Sequence, residues 1–172
     1  GHSQVVIATA ISPDGKLVAT AGGDKKIILW DLRTGEIIDQ LHGHRDLVFD
    51  LEFSSDGRFI TSASFDATIG KWDLKNETFE LTLIENSPYT AVFSPNDLYI
   101  VAGDNQKHVK LFEVDALEEF RRHIGHNDVI QDIVFSANGN LMATASWDGS
   151  TKVWDLNSGI LKAKYNQHKV LM

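Results

Sequence analysis

Cysteine is absent from the 172-residue sequence, which excludes a disulfide framework and any thiolate metal site. Nothing in it therefore points to an oxidising compartment. Long apolar runs are missing as well: none approaches the ~20 residues needed to span a bilayer, and the N-terminus lacks the charged-then-apolar layout of a secretory signal. Basic residues are outnumbered, 16 Lys and Arg against 24 Asp and Glu, and the net charge of -8 argues against a surface devoted to neutralising phosphate. These absences predict an intracellular chain, cytoplasmic by default, that partners neither nucleic acid nor membrane. What is present, 42% hydrophobic and 23% charged residues, is the composition of a folded domain with a sizeable core.

Aromatic-acidic pairs stand at Trp30-Asp31, Trp72-Asp73, Phe112-Glu113 and Trp154-Asp155, separated by 42, 40 and 42 residues. Gly-His pairs precede three of them at a constant distance: His2, His44 and His126 each lie 28 positions before their Trp. Such a register is a repeat, and four units fill the chain. Each unit carries a turn of the same chemistry, "SPDG" at 12–15, "SSDG" at 54–57, "SPND" at 94–97 and "SANG" at 136–139, whose residues supply tight-hairpin angles. Runs such as "LVFDLEF" and "VIQDIVF" precede it, and "KLVATAG" or "NLMATAS" follows; they are short, β-branched and alternating, as half-buried strands are. A second turn, such as "FDAT" or "WDGS", leads to the strand that ends in the aromatic-acidic pair, and "RTGE" or "NSG" then turns the chain into a fourth strand. Each unit is predicted to be four antiparallel strands, a to d.

A four-stranded sheet of about 40 residues cannot bury both faces alone, so neighbouring units must stack. In these residues the chain resembles the WD-repeat β-propeller family: the Gly-His, the Asp of the second turn and the Trp-Asp stand at that family's spacing over essentially the whole sequence. The resemblance implies an all-β fold, a β-propeller of four-stranded antiparallel blades, here at 1–41, 42–83, 84–123 and 124–167, with 168–172 opening a fifth repeat. It also implies that a hydrogen-bonded set of His, Ser or Thr, Asp and Trp braces each blade. Those positions hold His2, Thr20, Asp24 and Trp30; His44, Ser62, Asp66 and Trp72; and His126, Thr144, Asp148 and Trp154. The chemistry suits burial: an indole N–H needs an acceptor, a hydroxyl accepts and donates onward, and an imidazole relays to a carboxylate. Unit three holds Ile84, Ala102, Gln106 and Phe112 instead. All four polar members are replaced together, so a blade held by packing is expected there.

His42 with His44, or His123 with His126, can be read as metal ligands, but no third ligand stands at metal spacing. The Asp, His and Ser or Thr sets match a hydrolase triad in composition, yet catalysis needs one site and three copies point to bracing. With no other nucleophile-base pair, no phosphate-cradling Gly motif and no metal set, neither catalysis nor a cofactor is expected.

Strand order puts the d-to-a loops and b-to-c turns at one end of the blades, the end that the family presents to partners. There the residues three and five after each His position, and the one before the turn Asp, are Val5, Ile7 and Gly23; Leu47, Phe49 and Phe65; Ser87, Tyr89 and Asn105; and Val129, Gln131 and Trp147. A tight polar turn has no need of an aromatic. Phe65 and Trp147 therefore read as partner anchors, joined by Phe49, Tyr89, Leu47 and Gln131. The bland alternatives are that Phe49 and Tyr89 fold into the blade interface and that Phe65 and Trp147 cap their own turns. The expected function is a non-catalytic scaffold for protein or peptide partners. The rival is a sensor or autoinhibitory propeller segment of a larger signalling ATPase or regulated enzyme.

Four blades sweep about 206° of a seven-bladed ring and about 180° of an eight-bladed one. His168 stands 14 residues after Trp154, as His44 does after Trp30, and so opens a fifth unit. Two arrangements are expected: a segment of a longer propeller, or a homodimer closing an eight-bladed ring and hiding both open stacking faces.

Overall fold

A computed structural model describes residues 1–166, the side chains of His123 and Ile124 excepted. The expected fifth repeat at His168 lies outside the described residues. Four antiparallel sheets follow one another. The first is β1 (Val6–Ile11), β2 (Leu17–Gly22), β3 (Lys26–Asp31) and β4 (Ile37–His42). The second is β5 (Val48–Phe53), β6 (Phe59–Ser64), β7 (Thr68–Asp73) and β8 (Thr78–Leu83). The third is β9 (Pro88–Phe93), β10 (Tyr99–Asp104), β11 (His108–Glu113) and β12 (Glu119–Ile124), and the fourth is β13 (Ile130–Phe135), β14 (Leu141–Ser146), β15 (Thr151–Asp155) and β16 (Leu161–Tyr165). Within each sheet the strands pair in chain order, which makes four propeller blades. Two outer strands run one residue past the expected boundaries at 41 and 123, because His42 pairs with Lys26 and Ile124 with His108.

The a-to-b turns close in one way. A Ser hydroxyl (Ser12, Ser54, Ser94, Ser136) donates to Asp14, Asp56, Asn96 or Asn138 and accepts the amide five residues on. The left-handed position falls on Gly15, Gly57 and Gly139, at φ of 68°, 71° and 70°, and on Asp97 in the third blade at 54°.

The a strands of successive blades lie side by side, β1 on β5, β5 on β9 and β9 on β13. Between the first two blades Ala19, Ile27 and Leu29 meet Leu51, Phe53, Ile60 and Trp72. Ala63 and Ile69 meet Phe93, Ile100 and Phe112 at the next junction, and Val101, Val109 and Leu111 meet Ile130, Met142 and Trp154 at the last. Each blade thus turns the face carrying its c-strand aromatic towards the blade before it and its reverse face towards the blade after it. Among the described residues, the aromatic face of blade one and the reverse face of blade four have no neighbour.

Candidate functional site

The polar sets at the first, second and fourth blades come together. Trp30, Trp72 and Trp154 donate their indole N–H to Thr20, Ser62 and Thr144 at 2.7, 2.8 and 3.0 Å. The same hydroxyl oxygens lie 2.8, 2.7 and 2.7 Å from Nε2 of His2, His44 and His126. Nδ1 of each ring meets Asp24, Asp66 or Asp148 at 2.8, 2.9 and 3.1 Å. An ionised carboxylate only accepts, so Nδ1 carries the proton and Nε2 receives the hydroxyl hydrogen. Each Asp also accepts the amide following its His, from Ser3, Arg45 and Asn127, and so pins the d-to-a loop to the b-to-c turn. Burial opposes charge on Asp66 and Asp148, yet hydrogen bonds outweigh it, chiefly from His44 and Thr68 to Asp66 and from Ser150 and the Asn127 amide to Asp148, and hold both carboxyls below the usual range. Burial also keeps His126 low, against the pull of Asp148, so the ring bridges in its neutral form.

Ser62 is fully buried and serves two partners at once. Ser62→Ala is expected to cost about 2 kcal/mol in urea unfolding, because an indole N–H and an imidazole nitrogen lose their partner together. Adding Trp72→Phe should then cost less than Trp72→Phe does alone, since one orphan is already made.

The Gly of two Gly-His pairs, Gly43 and Gly125, has a packing reason that composition alone did not reveal. A Cβ on Gly125 would lie 2.3 Å from the Trp154 ring, and one on Gly43 2.8 Å from Phe79 and 3.0 Å from Trp72. The indole lies over a bare backbone, which only Gly provides.

Blade three keeps the packing expected of it and adds to it. Ile84 and Phe112 are buried in the junction with blade two, as expected, but a different polar set stands beside them. Asp104, fully buried, accepts the amides of Gln106 and His108 at 2.8 and 2.9 Å and a bond from Asn86 Nδ2 at 3.2 Å. Its other near neighbours are His108 Nδ1 at 3.2 Å and Lys110 Nζ at 3.9 Å. Lys110 is itself fully buried, makes no hydrogen bond among the described residues, and lies 3.9 Å from Glu119 as well. Lys110 pairs with Ala102 across the ladder, beside the place where the other blades carry their hydroxyl.

At the end formed by the d-to-a loops and b-to-c turns, the expected positions are clasped in pairs. The amides of Gly23, Phe65, Asn105 and Trp147 donate to the carbonyls of Val5, Leu47, Ser87 and Val129. Gly23 and Val129 are buried and offer nothing to a partner, whereas Val5, Ile7, Asn105 and Gln131 are exposed and Leu47 and Ser87 half-buried. Phe65 and Trp147 stand 39% and 54% exposed. Phe49 and Tyr89, half-buried, stack across the junction of blades two and three at 4.8 Å. Phe65 meets both edge-on, at 4.3 Å from Phe49 and 5.6 Å from Tyr89, and Tyr89 meets Trp147 of blade four at 5.6 Å. Four aromatics from three blades therefore form one continuous, partly exposed patch.

The family model for "WD domain, G-beta repeat" matches residues 1–31, 35–73 and 118–155, more than half of the chain. This chain belongs to the WD-repeat family. The model passes over 74–117, the stretch holding the Asp104 blade, so the third WD repeat is the divergent one. Among curated relatives, MST50-interacting protein 11 of Pyricularia oryzae is 44% identical over 91% of this chain and 51% of its own length. Small ribosomal subunit protein RACK1 of Neurospora crassa gives the same figures, and RACK1 of Caenorhabditis elegans is 41% identical over 92% of this chain and 50% of its own. The WD-repeat chain spans about half the length of these relatives.

Two carboxylates sit where the a strands converge. Asp50 accepts its neighbour Leu51's amide at 2.9 Å and the amide of Ala91 in the next blade at 3.1 Å, and Glu52 accepts that of Phe93. Burial raises both, Glu52 to about 7, with the neighbouring acidic side chains adding to the shift. Among the described residues no three His, Asp or Glu side chains form a metal set, and no helix is long and apolar enough to cross a membrane.

Proposed function

We propose that this WD-repeat chain is a non-catalytic scaffold that binds protein or peptide partners on the aromatic patch of Phe49, Phe65, Tyr89 and Trp147, with Leu47 and Gln131 at its rim. The observation that carries this is the patch itself. An exposed indole and phenyl ring, buttressed by two half-buried rings, have little conformational freedom left to lose on binding, which is what makes aromatic anchors effective. The polar sets of blades two and four tie the d-to-a loop to the b-to-c turn beside Phe65 and Trp147. Relatives named as small ribosomal subunit proteins make the small subunit the first partner to test. The scaffold is read either as a segment of a longer propeller or as half of an eight-bladed ring closed by a second copy.

Phe65→Ala with Trp147→Ala is expected to leave the unfolding midpoint nearly unchanged and to weaken co-sedimentation with purified small ribosomal subunits at least ten-fold. Unchanged retention, both of the subunits and of every protein crosslinked to the wild type, would overturn the assignment of this face.

A further inference from the structure

At the outer rim of the junctions between blades two and three and between blades three and four, a cation of the earlier blade reaches across to the later one. Lys71 of β7 donates to the Val114 carbonyl at 2.7 Å and pairs with Glu80 of β8 at 3.1 Å. Arg121 of β12 donates to the carbonyls of Leu156 and Asn157 at 2.9 and 3.2 Å. The receiving positions are equivalent, since the amides of Leu74, Val114 and Leu156 donate to Arg58, Leu98 and Asn140, each beside the a-to-b turn of its own blade. Leu74 therefore stands to blade one as Val114 stands to blade two and Leu156 to blade three.

Blade one supplies no such cation. Leu29 stands where Lys71 does, one residue before its Trp, and its ladder partner is Asp39, as Glu80 is the partner of Lys71 and Arg121 that of Leu111. A cleft of about 560 Å³ lies here between blades one and two, lined by Leu29, Leu41, Trp72, Leu74 and Phe79 together with Asp39. No Lys or Arg lines it. Among the described residues, exposed Asp39 accepts only the adjacent Gln40 amide, at 2.7 Å, and Glu77, also on the lining, forms no ion pair. The third carboxylate there, Asp73, is engaged by Arg58 at 2.6 Å. Phe79 stacks on Trp72 at 4.8 Å yet stays 48% exposed. The surroundings that hold Lys71 at the next junction, a carbonyl and a carboxylate beside apolar side chains, are thus repeated around an apolar residue.

We propose that this cleft receives a basic side chain from an extended segment of a protein partner, its charged head between the Leu74 carbonyl and Asp39 and its alkyl stem along Leu29 and Phe79. The partner supplies from outside the cation that blades two and three supply from their own strands. A carboxylate beside the carbonyl makes the donor's bonds charge-assisted, and the long stem of Arg or Lys covers apolar surface while its head stays polar. The net charge of -8 favours the approach of a basic segment. This rim surface is separate from the aromatic patch, which lies at the end of the blades.

Fluorescence anisotropy of the labelled peptide SLRLS on the 172-residue chain tests it, beside the same peptide with citrulline, which keeps the shape of Arg without its charge. The Arg peptide is expected to bind saturably and the citrulline peptide about ten-fold more weakly. Asp39→Lys should weaken the Arg peptide at least ten-fold and melt as the wild type does, because the side chain is exposed. Leu29→Lys, which supplies the cation from within the chain, should block the peptide equally; should it fail to fold, Asp39→Lys carries the test. Phe65→Ala with Trp147→Ala should leave this binding unchanged. Equal affinity for the two peptides, or no saturable binding of either, overturns the cation seat. Charge-dependent binding that survives Asp39→Lys overturns its location, and its loss in the double aromatic variant would assign the basic segment to the aromatic patch instead.

Discussion

Asp104→Ala is expected to destabilise the protein by roughly 3–5 kcal/mol, the cost of breaking a buried ion pair from one side. The substitution releases the amides of Gln106 and His108 and the side chain of Asn86, all held by one carboxylate. Among the described residues it also leaves Lys110, fully buried and without a hydrogen bond, with Glu119 alone at 3.9 Å. Urea unfolding of the variant measures the loss. A midpoint equal to the wild type's would mean that blade three stands on packing, as its lost motif suggests. Restoring the usual hydroxyl by Ala102→Ser should not rescue the variant, because Phe112 has no N–H to donate and the acceptor for Asn86 is still missing.

Stability is expected to fall by about 3 kcal/mol between pH 4.5 and pH 8 through Glu52 alone. Its carboxyl ionises near 4.5 in the unfolded chain and near 7 in the folded one, where burial withdraws water and nearby acidic groups repel the charge. Across that window the native state holds a proton that the unfolded state has released. The contribution is therefore at its most favourable below about pH 4.5 and is lost as the pH rises through 7. Glu52→Gln removes the titration while keeping a carbonyl for the Phe93 amide. Its melting temperature should exceed the wild type's at pH 8 by roughly 10 °C and match it near pH 5, given about 2–4 °C per kcal/mol for a chain of this size. Parallel melting curves for the two proteins across the pH range would refute the assignment. Asp50, also raised by burial, leaves a residual slope in the variant.

Much of this architecture was legible because it is local and repeated. Counting from Gly-His to Trp-Asp singled out the His, hydroxyl, Asp and Trp side chains that lie within hydrogen-bond distance of one another in three blades. Spacing also marked Phe65 and Trp147 as unusual, since a tight turn gives no reason for either ring. It did not reveal that Phe49, Phe65, Tyr89 and Trp147 touch. Those contacts join strands about 40 and 80 residues apart and depend on how each blade leans on the next. Asp104 was missed for a related reason. The family's Asp position holds Gln106, and the signal lies instead in "AGDNQKHVK", an acid and a base set into a run that otherwise reads as buried strand.

The sequence by itself determined the four-stranded units, their strand order and the chemistry that braces them, because hairpin turns and period-two strands are written in neighbouring residues. Only the tertiary structure decided which side chains share a face, which carboxylates lie buried where the a strands meet, and which buried groups lack partners. Burial and contact are set by the stacking of blades, and a short stretch of chain holds no record of the surface that will cover it.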